Sequence, residues 1–445
     1  MPPAICRDTP HRLQMKALLR SGIAMALLAG AFMLGYLAHR NDWIPQQVRN
    51  AFSAQPAAPA RPFAGDAFPL QHRGQPGGSE ERDAILAMGY LQGTQPATNH
   101  SGVTQCDESA VQPGLNLYTS GHAPEAVLMD MHGKTLHTWR HELAQAWPDY
   151  SRPEYIREAA LHSWRRARLY PNGDLLAIFE GVALLKLDKD SRLKWIYKNG
   201  CHHDVAIAPS GDVLVLTSMP RDGSIDNGVA ILSPEGAERA HFSILDCFRA
   251  SPYAPLLDRL PKHGDVLHVN TLKILDGAQA GEHPAFKAGN LLISSLTLDT
   301  IAVIDPETKS IPWAISGLTR AQHEPTLLAN GNLLVFDNRG AGELSRVLEL
   351  NPLTQQVVWQ HPDPQSLPFY SQWCGAAMRL DNGNTLITET DNGRAFEVTH
   401  DHRIVWEFVN PNQFEERGVR MVAALFDVVR LPEMSGATWF SGDPP

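Results

Sequence analysis

The chain contains no CxxC pair and only five cysteines, so neither a zinc ribbon nor a dithiol redox motif is encoded. A basic surplus is missing too: 38 Lys and Arg face 48 Asp and Glu, giving a formal charge of -10. Binding nucleic acid needs a concentrated Lys/Arg surface to neutralise phosphates, and no repeat in this chain carries one, which excludes that partner class. Long apolar runs are scarce. The exception is the uncharged stretch Ser21–Ala38, about 27 Å long as a helix and so matched to a bilayer core.

Arg7, Arg12, Lys16 and Arg20 precede that stretch, while Arg40 is soon offset by Asp42. The positive-inside rule then makes residues 1–42 a cytoplasmic tail and a single transmembrane anchor in the inner (plasma) membrane, with the rest in the periplasm or outside the cell. A cleaved signal peptide is the rival reading, because Ala29-Gly30-Ala31 has the small-residue spacing of a cleavage site. On this topology Cys6 is cytoplasmic, whereas Cys106, Cys201, Cys247 and Cys374 lie where disulfides persist, with three pairings open.

Residues 43–82 are rich in Pro, Ala and Gly and show little hydrophobic period, the composition of a linker. A short helix is expected over Asp83–Leu91 and a helical insertion over Leu143–Leu161. Residues 83–445 form the folded domain.

What the chain has in abundance is repetition. A His is followed eight residues later by a turn Gly and then a short apolar strand: His203 with Gly211, and again His323 with Gly331. Similar turns fall at Asn172-Gly173, Ala288-Gly289 and Asn382-Gly383. A second half-repeat is a hairpin ending in an aromatic, at Trp139, Trp195, Trp313, Trp359 and Trp406, with Phe242 closing a sixth copy. Each half supplies about two strands, so the pair makes a four-stranded unit; six copies imply an all-β, six-bladed β-propeller, with a β-helix as the rival fold. The run Met421–Leu431 resembles an innermost strand and Gly114–Trp139 supplies outer strands, so together they would close the ring.

Residues at one repeat position converge near a propeller axis. Eight residues before the turn Gly stand Arg165, His203, His323 and Gly375, and His268 takes the equivalent place in the copy with an insertion. A single His at a strand start often only bonds a neighbouring carbonyl; three at one structural position point to a site. His202 alternates to the other face and reads as packing. Imidazole serves as metal ligand or as nucleophile and proton carrier. The nearby acids Asp204, Asp265 and Glu324 lack ligand spacing, which favours nucleophilic catalysis without a metal or cofactor.

Several phrases then resemble the bacterial arylsulfotransferase family, phenol sulfotransferases that use no nucleotide sulfate donor. They are Asp265-Val-Leu-His268-Val-Asn270, Leu292-Ile-Ser-Ser295, Ala321-Gln-His323 with Phe336-Asp-Asn338, and the run from Ala377 to Ile387, within a likeness spanning roughly 112–431. The resemblance implies a six-bladed periplasmic propeller whose substrates are a small-molecule aryl sulfate and a phenol. It implies His323 as the nucleophile that becomes a sulfohistidine, with His268 and His203 assisting. Asn270, Arg165, Arg339 and Trp373 are the candidate binding residues, and Phe369 could join Trp373 in an aromatic pocket. The family's active-site Arg follows the Ser-Ser pair, where this chain has Leu296; Arg165, Arg339 or Arg379 would have to supply its charge to the sulfuryl oxygens. Two other readings remain open: a propeller that binds a small molecule or protein without turnover, and a quinone-cofactor dehydrogenase.

Overall fold

The turn glycines do what their spacing expects. Gly211 and Gly331 adopt φ of 88° and 84°, a region in which a side chain is strained. They turn Cys201–Ile207 into Val213–Arg221 and His323–Leu327 into Leu333–Asp337. The computed structural model describes residues 93, 95–153, 156–340, 344–416, 418–432 and 439, all within the unit Pro76–Pro445. The anchor Ser21–Ala38, the linker and the helix expected over Asp83–Leu91 lie outside these residues. Among the described residues no helix is long and apolar enough to cross a membrane.

The described strands form seven sheets, six of them with four or five strands, all antiparallel in their main path. The first joins Leu425–Leu431 to Leu115–Ser120, Glu125–Met129 and Thr135–Arg140. The second runs from Arg166–Leu169 to Leu193–Tyr197, the third from Cys201–Ile207 to Glu238–Ser243, and the fourth from Val269–Ile274 to Ser310–Ser316. The fifth runs from His323–Leu327 to Val357–His361 and the sixth from Ala376–Arg379 to Ile404–Val409, with Gly102–Cys106 added at its outer edge. A small seventh sheet holds Gln95–Pro96, Gln413–Glu416 and Val419–Val422.

The apolar core is divided among the seams between consecutive sheets. Leu117 and Trp139 of the first pack with Leu175 and Ala177 of the second; Leu176 and Ile178 face Val213 and Val215 of the third. Seams three to four, four to five and five to six follow. Tyr118 and Val127 of the first sheet meet Leu386 and Trp406 of the sixth, which closes the cycle. The second strands Leu175–Phe179 and Leu333–Asp337 are buried on both faces, which is why they read as nearly unbroken apolar runs. The tryptophans that end the hairpins stitch the seams. Trp139 donates to Gly173 O at 3.0 Å, Trp195 to Pro234 O at 3.0 Å, Trp359 to His400 O at 2.9 Å and Trp406 to Met131 O at 2.9 Å. The architecture is all-β and propeller-like.

Two segments differ from expectation. Among its described residues the insertion at 143–161 holds the one-turn helix Leu143–Ala146, which Pro148 cuts short, and a 3-10 turn at Glu158–Leu161. The innermost strand of the first sheet begins at Leu425 rather than Met421: Asn410 Nδ2 takes Ala423 O at 2.8 Å, and the preceding residues pair in the seventh sheet. Cys106, Cys201, Cys247 and Cys374 are thiols, not disulfides.

Candidate active site

Charged side chains of five innermost strands meet in one buried cluster, which fixes where the inner ends converge. Arg166 pairs with Asp427 Oδ2 at 2.5 Å, with Glu324, and with Asp204 Oδ1 at 3.5 Å. Arg168 reaches Asp204 at 2.9 Å and Asp427 at 3.1 Å, and Lys273 reaches Glu324 at 2.7 Å. Burial alone would lower the Arg166 pKa, but Asp427, Glu324 and Asp204 hold it well above its ordinary value. Arg166 Nε also donates to the carbonyl of His203 at 3.3 Å. Asp204 and Glu324, adjacent in sequence to His203 and His323, are thus committed to this cluster.

Around it stand the three histidines, all buried. Their strands are bulged: the pairing slips between His202 and Val205, between Val269 and Thr271, and between His323 and Thr326. His203 and His268 take left-handed φ of 51° and 46°, strain of the kind that accumulates at sites. The rings of His203 and His268 lie 4.9 Å apart, edge to face.

The hydrogen bonds of Asn338 settle the proton position on His323. Asn338 Nδ2 donates to Ser371 O and Cys374 O, both at 2.8 Å, so its Oδ1 is the acceptor that faces His323 Nδ1 at 2.8 Å. His323 Nδ1 therefore carries the hydrogen. Its Nε2 keeps a lone pair, buried and without a hydrogen-bond partner. Burial pushes the His323 pKa down to about 3; the Asn338 bond opposes this, and the charge of Arg165 with the neighbouring imidazoles adds to it. At neutral pH this ring is uncharged.

His203 and His268 have carboxylates behind them instead. Glu180 Oε1 lies 2.9 Å from His203 Nδ1, and Glu180 Oε2 accepts the His203 amide at 2.9 Å. Asp265 Oδ2 lies 2.9 Å from His268 Nδ1, off the ring N–H line, and Asp265 Oδ1 accepts the His268 amide at 3.1 Å. Burial pushes His203 down to about 4 against the pull of Glu180. Burial would raise Glu180, but His203, His202 and Arg165 bring it well below the usual carboxylate range. Asp265 is half-buried; desolvation would raise it, but it is held at about 2, chiefly by His268.

Arg165 is buried. Its guanidinium lies 5.4 Å from the Phe426 ring centre and donates to Cys374 Sγ at 3.3 Å, and its charge acts on both Glu180 and His323. Leu296 bonds through its backbone, its amide donating to His268 O at 3.1 Å and its carbonyl accepting from the Asp299 amide at 3.2 Å. Asn270 Nδ2 is committed to Gln322 O at 2.9 Å, which ties the fourth sheet to the residue before His323. Arg339 stacks on Trp373 at 5.6 Å; the two flank Asn338 and its carbonyl partners. Arg379 is engaged by Glu349 at 2.7 Å and by the Trp359 ring, and Phe369 packs in the core with Phe336 and Phe396.

His202 corrects the alternation argument. The bulge turns it toward its neighbour, so that His202 Nδ1 and His203 Nδ1 stand 2.9 Å apart. Glu180, His202 and His203 present ligand atoms within 4.8 Å of one another, a two-His, one-carboxylate set able to take a divalent cation. Glu180 carried no sequence signal, since it lies outside both repeated phrases; Asn338 was visible only inside the Phe336-Asp-Asn338 phrase.

A family described as Arylsulfotransferase (ASST) matches residues 167–411, more than half of the chain. Among curated proteins none matches. Solved structures similar to the chain include a protein of unknown function from Bacteroides caccae, 12% identical with TM-score 0.46, covering 71% of this chain and 99% of that one. A streptogramin B lyase is 15% identical with TM-score 0.40, covering 73% and 87%, and the WD40 β-propeller domain of Doa1 is 11% identical with TM-score 0.38, covering 71% and 78%. These scores are low, and the fold rests on the sheet order and seams.

Proposed function

Because the chain belongs to the arylsulfotransferase family, we propose that it transfers a sulfuryl group from an aryl sulfate to a phenol through a sulfohistidine at His323. The observation that carries this reading is the His323 ring: Nδ1 locked to Asn338, Nε2 bare and buried beside two further imidazoles and a guanidinium. In the first half-reaction the Nε2 lone pair forms a bond to sulfur while the sulfur–aryl oxygen bond breaks, its electron pair leaving on the phenolate. His268 and His203 assist that departure, and Arg165 holds charge on the sulfuryl oxygens in place of the residue missing at Leu296. An acceptor phenol then takes the group from His323, so the kinetics are ping-pong.

The six four- and five-stranded sheets are read as six blades spanning 83–445, with the site at their shared axis. Ser21–Ala38 is read as a single anchor that keeps this domain at the outer face of the inner membrane, a reading supported by its length and flanking charges. Leu296 favours one alternative, a propeller that binds an aromatic anion without turnover.

Incubation with a chromogenic aryl sulfate and a phenol acceptor separates the two. Colour release that requires the acceptor and vanishes in His323→Ala supports the transferase. Release without acceptor identifies a sulfatase, and binding without release identifies the alternative.

A further inference from the structure

We propose that Glu180 and Asp265 are positioning residues that make His203 and His268 the proton carriers of this site, so that an aryl sulfate anion binds together with a proton that is later handed to the departing phenol. The inference rests on the transferase reading and deepens it.

The geometry is a clamp built twice from unrelated parts of the chain. Glu180 follows an inner strand of the second sheet, and Asp265 stands three residues before its histidine. Each gives one oxygen to the backbone amide of its His and sets the other 2.9 Å from Nδ1 of the same ring. A carboxylate this close stabilises the imidazolium by its charge, even off the N–H line at His268 and with His202 Nδ1 sharing His203 Nδ1, and Nε2 is the nitrogen left to exchange the proton. His323 is built differently. Its Nδ1 faces the neutral amide oxygen of Asn338, with no carboxylate behind it, and Arg165 opposes a further positive charge there.

The surrounding charges point the same way. His203 is faced by Glu180, His202 and His268, and Glu180 in turn by Arg165; His268 is faced by Asp265, His203 and His202. With all rings neutral, two carboxylates stand against one guanidinium, and an arriving sulfate monoester adds a third negative charge. Uptake of a proton by the His203–His268 pair offsets it at rings that each have a carboxylate 2.9 Å from Nδ1.

The proton balance closes over one cycle. His323 Nε2 bonds to sulfur, the sulfur–oxygen bond breaks, and the phenolate oxygen takes the proton from Nε2 of His203 or His268. The acceptor phenol returns a proton to that Nε2 as its oxygen bonds to sulfur and the nitrogen–sulfur bond breaks.

The test has two parts on the full chain. Calorimetric binding of phenyl sulfate at pH 7, in two buffers of different ionisation heat, should show uptake of about one proton. It should persist in His323→Ala and fall by at least half in Glu180→Gln and Asp265→Asn. Transfer from phenyl sulfate should drop about 10²–10⁴-fold in those carboxylate variants. Transfer from 4-nitrophenyl sulfate, whose phenolate leaves unassisted, should drop less than about tenfold. If either variant fails to fold, Glu180→Asp and Asp265→Glu retain the acid and should keep transfer from phenyl sulfate within about tenfold of wild type. Absence of proton uptake in the wild type, equal losses for both donors, or an equivalent of divalent metal that Glu180→Gln loses would overturn the proposal. Proton uptake that responds to the carboxylates without any turnover would instead sink the transferase reading, and with it the hand-over to phenol, and leave only proton-linked binding at His203 and His268 standing.

Discussion

Asn338 Oδ1 stands 2.8 Å from His323 Nδ1, and because the Asn338 amide nitrogen is spent on two carbonyls, the pair admits one orientation and one tautomer. Asn338→Asp keeps the acceptor and adds a charge. The nucleophile should become more basic, so the acid limb of kcat/KM moves up by roughly one to three pH units; a pH–rate profile of the variant measures it.

Arg165 is the buried cation whose charge reaches His323. Its replacement by Met should cost about 10²–10³ in kcat/KM for sulfuryl transfer, with circular dichroism unchanged. Leu296→Arg in that background, which returns a guanidinium to the family's position, should recover part of the loss.

The Arg166 cluster concerns stability. Asp427→Ala leaves a buried guanidinium with fewer counter-charges, a change that typically costs about 3–5 kcal/mol. Urea unfolding should show a lower midpoint, and Arg166→Met combined with Asp427→Ala should be less damaging than either change alone.

Asp391 gives a pH signature of opposite sign to the histidines. Burial raises its carboxyl to about 7, although its Oδ2 accepts the Gln372 amide at 2.6 Å. The folded state prefers the protonated acid, so its contribution is full below pH 4 and fades as pH climbs toward 7. His323 and His203 are depressed, to about 3 and 4; their contribution is present above pH 6.5 and is lost as pH falls through those values. The difference in melting temperature between wild type and Asp391→Asn should therefore shift in favour of the variant between pH 4 and 8.

The repeats were readable because each demands a residue type: Gly where φ must be positive, as at Gly211 and Gly331, and Trp where a ring spans a seam, as at Trp139 and Trp406. His203 and His323 were legible from their common offset before a turn Gly, and His268 from its equivalent place in the copy with an insertion. Glu180 and His202 were not. The first joins the site through tertiary packing alone, and the second turns inward only because a bulge cancels the alternation of a regular strand. The helical insertion expected over 143–161 is reduced to short turns in its described residues, the first of them cut off by Pro148.

The strand that completes the first sheet, Leu425–Leu431, is among the last parts of the described chain to be synthesised, yet it delivers Asp427 to Arg166 and packs Phe426 beneath Arg165. A nascent or truncated polypeptide that stops short of it would carry every imidazole of the site but neither the acid that neutralises the axial guanidinium nor the ring that supports its neighbour. On the transferase reading, competence is thereby tied to the arrival of that one late segment, and a chain ending before Leu425 should be silent even with His323 intact.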